Sequence, residues 1–233
     1  MTDFLSVKQL AEHLQVSDKT IYRMLWRGDL PGRRVGSQWR FSRSEVDFWL
    51  DLRLPRLAPP DLREMSRAGA GGGGPLAAAL TPRNALIPLA AETAEEVISD
   101  FIDAVEFPEP VDRPALVARI REREHTSSTS TAQGVMFLHT ARWEARALQS
   151  SNLFAIGRLP APRDFGSSDG DPADLLFLLL ASGHRDHLAL LAGAARLSRL
   201  PGVLAAIRGA RSGPEVMQVV RRAEATLMME KES

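Results

Sequence analysis

Cysteine is absent from all 233 residues, so disulfides, thiolate nucleophiles and thiolate metal sites are excluded. Net charge is absent too. The 29 Lys and Arg side chains cancel 29 Asp and Glu, leaving no overall field that would draw a polyanion. Long apolar runs are missing: the longest, Leu175 to Ala181, is too short to cross a bilayer as a helix, and no membrane insertion is expected. Met1-Thr-Asp-Phe-Leu5 lacks a basic stretch followed by an apolar core, so a secretory signal is not expected. A soluble, cytoplasmic protein is the expectation. Its length suits one large domain or two small ones.

What is present begins with a dense amino-terminal pattern. Residues 1–56 hold ten Lys and Arg against seven Asp and Glu, a local excess that suits a small nucleic-acid module. Ser6-Val-Lys-Gln9 has the form of a capping box, after which Val7, Leu10, Ala11 and Leu14 fall on one helical face. Ser17 restarts the pattern as a second N-cap, with Ile21, Met24 and Leu25 apolar. Lys19, Thr20, Tyr22, Arg23 and Arg27 lie on the opposite side, and His13 reads as ordinary surface. Val35, Trp39 and Phe41 alternate about a Gly36-Ser37 turn, which predicts a small hairpin with Trp39 and Phe41 in the core. Ser42-Arg-Ser-Glu45 then opens a helix with Val46, Trp49 and Leu50 inward.

Helix, turn, helix, basic wing and helix over roughly residues 3–53 resemble the excisionase or MerR-like winged helix-turn-helix module. The resemblance implies a second helix in the major groove of double-stranded DNA, with Lys19, Thr20, Tyr22 and Arg23 facing bases or backbone. It also implies a wing lined by Arg33, Arg34, Gln38 and Arg40. One module of this size reads few base pairs, so a homodimer or a second protein is expected for tight binding.

The expected domains are residues 1–54 for this module, 55–83 for a linker, and 84–230 for a second domain. Pro55 to Pro60 ends the first, and Arg67-Ala-Gly-Ala-Gly-Gly-Gly-Gly-Pro75 is costly to order, so a flexible tether between independently oriented domains is predicted, with room for a helical turn over Asp61 to Ser66. Beyond it, Ala85 to Ala90 reads as an edge strand because Pro88 removes a ladder donor. Thr93-Ala-Glu-Glu96 caps an amphipathic helix, and Asp112 caps another. Val135 to Leu138, Leu153 to Ile156 and Leu175 to Leu180 read as strands, the last apolar enough to lie inside a sheet covered on both faces. Helices follow over His187 to Leu200 and after Ser212-Gly-Pro-Glu215. The predicted class is an α/β layered domain with a mixed sheet flanked by helices.

A single histidine, His139, ends the Val135–Leu138 strand at the edge of a polar turn, where its imidazole is expected to reach solvent. The stretch Arg123-Glu-His-Thr-Ser-Ser-Thr-Ser-Thr-Ala-Gln-Gly-Val-Met-Phe-Leu-His139, with Leu175 to Ala181 and His187-Leu-Ala-Leu-Leu-Ala192, resembles the fructose, mannitol and nitrogen-regulatory type enzyme IIA domains of the sugar phosphotransferase system. That resemblance implies phosphohistidine phosphotransfer with no cofactor and no metal. His139 would accept a phosphoryl group from the carrier protein HPr, stabilised by Arg123, Thr129, Ser128 and His187; Arg142 is a further candidate only through its nearness in sequence. Leu138 stands where the family places proline, and Ser127, Ser130, Thr131 and Ala132 replace its glycines. His184 and His187, three apart, can be drawn with His139 as a zinc site, but no carboxylate or cysteine pattern accompanies them, and His125 reads as structural.

Two modules in one chain imply a transcription regulator that links nutrient state to gene control through phosphorylation of His139. The alternatives are a phosphoryl carrier passing phosphate to an enzyme IIB or sugar permease component, and a non-catalytic IIA-like platform for protein interaction.

Overall fold

The computed structural model describes residues 4–54, 57–66, 75–91, 93–126, 128–131, 133–140, 147–166 and 172–229. The amino-terminal module is built from β1 (Phe4–Leu5), α1 (Val7–Leu14), α2 (Asp18–Trp26), β2 (Arg33–Val35), β3 (Gln38–Ser42) and α3 (Arg43–Arg53). Local chemistry sets these boundaries. Ser6 accepts from the Gln9 amide while the Gln9 side chain returns to the Ser6 backbone, and Ser17 and Ser42 cap α2 and α3 by accepting from the Thr20 and Glu45 amides. The wing turns through Gly36 at φ +62°, pairing Val35 with Gln38. Strands β1, β3 and β2 form a small antiparallel sheet, and Leu10, Leu14, Ile21, Met24, Phe41, Val46 and Leu50 close the core beneath it.

The stretch between the modules departs from the expected flexible tether. Residues Pro59–Ser66 form α4 and Pro75–Ala79 form α5; residues 67–74 lie outside those described. Leu57, Leu62 and Met65 are buried in the same cluster as Leu54 of the first module and Leu188 and Leu191 of the second. Composition was a poor guide here. Paired prolines are tolerated in a first helical turn, and the apolar residues three apart behind them supply the burial that orders the segment. Polar anchors reinforce it: Arg196 donates to Ser66 Oγ at 2.9 Å, and Arg199 donates to the Leu57 carbonyl at 2.7 Å.

The second domain contains β4 (Ile87–Pro88), α6 (Ala94–Ala104), α7 (Arg113–Thr126), β5 (Val135–Leu138), β6 (Leu153–Arg163), β7 (Ala173–Leu180), α8 (His184–Ser198), α9 (Val203–Gly209) and α10 (Gly213–Met229). Its four-stranded sheet runs β4-β6-β7-β5, with β4 parallel to β6, β6 antiparallel to β7, and β5 parallel to β7. The edge position of Pro88 and the interior position of β7 follow the expectations from residue chemistry. Leu175, Phe177 and Leu179 of β7 enter one core with α8 and α10, while Leu176, Leu178 and Leu180 enter the other with α6 and α7. Phe177 meets Phe137 and Phe154 edge-on, at 5.7 and 5.3 Å between ring centroids. Helix α8 begins one turn earlier than predicted, at His184, because Gly183 is its N-cap and His187 N–H already bonds the Gly183 carbonyl.

The start of α10 is tightly seated. A Cβ on Gly213 would lie 1.9 Å from the Pro82 carbonyl oxygen, a backbone atom that cannot move alone. Gly213→Ala is therefore expected to cost about 3 kcal/mol and to lower Tm by about 8 °C, read from thermal melts of the two proteins.

Candidate functional site

Strand β5 delivers His139 and Thr140 to the carboxyl-terminal edge of the sheet. Its approach is a tight return: Thr131 N–H bonds the Val135 carbonyl at 3.0 Å, and Gly134 N–H bonds the Thr131 carbonyl at 2.8 Å. Gly134 takes φ +75°, and a Cβ there would sit 2.7 Å from an Arg208 guanidinium nitrogen. Glycine is needed at this position for both reasons.

His139 does not reach solvent as the strand-end pattern suggested; it is 1% exposed. The strand stays inside the layered core to its last residue, with Leu138 paired to Leu178, so the next side chain begins its course already covered. His139 Nδ1 lies 3.1 Å from the Thr140 carbonyl oxygen. A carbonyl only accepts, so Nδ1 carries the proton in the neutral ring and Nε2 keeps its lone pair.

His187, on the first turn of α8 and 7% exposed, faces His139 edge-on with 5.5 Å between ring centroids. Burial pushes its pKa down to about 4, helped by His184 and opposed by Asp47. Burial holds His139 well below its ordinary value too, followed by the positive charge of Arg123 and then His187. Arg123 is buried in the last turn of α7. The two rings are thus neutral near pH 7, beside a buried guanidinium and the amino end of a helix, an arrangement that offers a nucleophilic nitrogen and favours added negative charge.

The two predicted hydroxyl residues are held by the end of α7 and by the loop that follows it. Thr129 donates from its amide and its hydroxyl to the two oxygens of Glu124, at 2.9 and 2.8 Å, and Ser128 Oγ accepts from Ser130 N–H at 3.3 Å. Arg142 lies outside the described residues. His125 is exposed on α7. Among the described residues no group of three or more His, Cys, Asp or Glu side chains is arranged to hold a metal ion.

One member of the cluster, His13, escaped sequence reasoning, and with it the contact that His184 makes across the domains. His13, read as surface, is buried: its Nε2 meets Asp47 Oδ1 at 2.6 Å, and its ring stacks on His184 at 4.2 Å. His184 Nε2 also lies 2.8 Å from the His13 carbonyl, and Arg185 donates to Gln15 Oε1 at 3.0 Å. Nothing local marks residues 171 positions apart as neighbours; only the i, i+3 spacing of His184 and His187 placed them on one face of α8.

On the predicted DNA face, Lys19 and Tyr22 are exposed and Trp26 is 85% exposed. Thr20, expected outward, is buried. Its hydroxyl donates to Glu64 of α4 at 2.6 Å, because α4 covers that flank of α2. Arg23 is partly covered and bonds Asp61. In the wing, Arg34 is exposed, Arg33 pairs with Glu45 at 2.8 Å, and Arg40 bonds Gln38 and the Trp39 carbonyl.

A three-helix module with a hairpin wing, followed by a mixed sheet between helical layers with two facing histidines, defines a helix-turn-helix protein fused to an enzyme IIA fold. The helix-turn-helix domain family matches residues 4–51, and the family described as phosphoenolpyruvate-dependent sugar phosphotransferase system, EIIA 2 matches residues 79–223. The second match spans more than half of the chain, which belongs to that EIIA family. Similar proteins include a nitrogen regulatory protein of Bradyrhizobium diazoefficiens, 34% identical over 108 residues, covering 45% of this chain and 67% of that protein. One from Pseudomonas aeruginosa is 29% identical over 145 residues, covering 60% and 91%. Solved structures with the same fold include nitrogen regulatory protein IIA-Ntr from Neisseria meningitidis, with TM-score 0.54, 20% identity and coverage of 62% of this chain and 97% of that one. Another is the complex of enzyme IIAMtl with phosphorylated enzyme IIBMtl from Escherichia coli, with TM-score 0.51, 19% identity and coverage of 60% and 96%.

Proposed function

We propose that this chain is a cytoplasmic, DNA-binding transcription regulator whose EIIA domain takes a phosphoryl group on His139 from an HPr-type phosphohistidine carrier. The observation that carries the reading is the facing pair His139 and His187, both neutral, with His139 Nε2 left as the lone-pair nitrogen, in the same chain as a helix-turn-helix domain. In the transfer, the Nε2 lone pair forms a bond to phosphorus while the P–N bond to the carrier imidazole breaks; the electron pair stays on the carrier ring, which is protonated on its other nitrogen and so leaves as neutral imidazole. The Nδ1 proton stays on His139, held by the Thr140 carbonyl. Arg123 and His187 then oppose the added negative charge. Lys19, Tyr22, Arg23 and the wing residues Arg33, Arg34, Gln38 and Arg40 supply the contacts to duplex DNA, and a homodimer supplies the second half-site.

The test is incubation of the full chain with enzyme I, HPr and labelled phosphoenolpyruvate. Acid-labile label is expected on the wild type, with at least a hundredfold less on His139→Ala. Equal labelling of the two removes the proposal. The burial of His139 favours one competing reading, a non-catalytic interaction platform, and complete absence of label from the wild type selects it.

A further inference from the structure

Helix α4 meets α2 through two carboxylates, Asp61 and Glu64. Glu64 accepts from the Ser17 backbone N–H with one oxygen and from the Thr20 hydroxyl with the other, so it sits on the amino end of α2. Asp61, fully buried, accepts from Arg23 through one oxygen, where Arg23 Nε lies at 3.2 Å, and from Arg27 through the other. Asp61 and Glu64 are three residues apart and share one face of α4. Ser17, Thr20, Arg23 and Arg27 step down one flank of α2 at matching helical intervals.

An amide at a helix start, a hydroxyl and two guanidinium groups are the donor types that hold DNA phosphates. Two of them, Thr20 and Arg23, belong to the predicted reading set. Their acceptors here are internal anions. Asp61 is tolerated without solvent only because both arginines satisfy it, so giving Arg23 to a phosphate leaves a buried carboxylate short of a partner. DNA contact through this flank and docking of α4 therefore exclude each other. The docked helix is in turn tied to the EIIA domain through its Ser66, which accepts from Arg196 of α8, and the chain just before it through the Leu57 carbonyl, which accepts from Arg199 at the C-cap of α8.

We propose that α4 is an internal acidic occupant of the DNA-reading flank, competing with duplex phosphates for Thr20, Arg23 and Arg27. This rests on the DNA-binding reading of the amino-terminal module. The full chain titrated with a random-sequence 30-base-pair duplex in low salt tests it, using Glu64→Gln, which keeps the buried Asp61 pairs, and the double variant Asp61→Asn, Glu64→Gln. Relief of the competition is expected to tighten the apparent Kd about threefold in the single variant and about tenfold in the double. The salt slope of the double variant should steepen by about two, as Arg23 and Arg27 become available to phosphates. A folded Glu64→Gln protein that binds no tighter than the wild type overturns the proposal, and it does so even when the double variant fails to fold. Wild-type binding that Arg33→Ala weakens, without any gain in Glu64→Gln, leaves the DNA reading standing while the competition falls. No duplex binding by wild type, single or double variant removes both.

Discussion

Replacing His187 with alanine is expected to slow phosphoryl transfer to His139 about a hundredfold. In the resting protein His187 is neutral, with its pKa down to about 4 through burial and the neighbouring His184. A phosphoryl group on His139 changes that balance by bringing negative charge against a ring whose centroid is 5.5 Å from its own. Opposite charge at that range raises a histidine pKa, so His187 becomes a charged hydrogen-bond donor as the product forms. A hydrogen bond to a charged group contributes about 1.5–3 kcal/mol. Expressed only in the transition state and product, its upper range corresponds to about a hundredfold in rate. Single-turnover transfer from phosphorylated HPr measures it, with circular dichroism confirming the fold of the variant. His187→Gln keeps an N–H donor without the ability to take up a proton, and should fall between wild type and alanine. Transfer by His187→Ala at the wild-type rate would remove His187 from the reaction.

The two domains meet through the same histidines. His139 faces His187, His187 feels His184, His184 stacks on His13, and His13 meets Asp47 of α3. Four of the five histidines in the chain thus form one run from the candidate acceptor to the helix-turn-helix module. The cores are continuous as well, since Leu10, Leu54, Leu62 and Leu191 belong to one buried cluster. Charge added at His139 would therefore lie within a short series of ring contacts of the interface that seats the helix-turn-helix module. Packing gives that coupling a physical route, because closely packed side chains shift between discrete arrangements rather than deforming smoothly.

Much of the fold was legible because its signals are local. The serine caps at Ser6, Ser17 and Ser42, the Thr93-Glu96 box, Pro88 at an edge and the unbroken apolar run of β7 each act within a few residues of themselves. The convergence of His139, His187 and Arg123 came from family resemblance, since nothing periodic relates α7, β5 and α8. The burial of His13 and the docking of α4 depend on contacts between residues 34 to 171 positions apart. For α4 the sequence allowed a helical turn over Asp61 to Ser66 but set it in a flexible tether, not in a docked helix. A glycine run beside it dominated the composition, while the deciding features were Leu62 and Met65 facing α8 and Asp61 facing two arginines.

Acidification should destabilise the protein, and His187 should account for a measurable share. In the unfolded chain His187 takes up its proton near pH 6.5; in the folded chain it does so near pH 4. Between those values the unfolded state holds the extra proton, so acid favours unfolding. The contribution is fully present above about pH 6.5 and is lost as pH falls toward 4. From pH 7 to pH 5 it amounts to about 2 kcal/mol for His187 alone. His139 and His184, also lowered chiefly by burial, act in the same direction. Glu124 and Glu224 act against it, because burial raises both carboxyls and lets the folded state bind protons first. A difference measurement separates these terms. Urea unfolding of the wild type and of His187→Gln at pH 7 and pH 5 leaves every other group in common. The stability advantage of the wild type should shrink by about 2 kcal/mol between the two pH values, since glutamine takes up no proton. Parallel pH dependence in the two proteins would mean that His187 titrates normally, and that its ring is not held neutral beside His139.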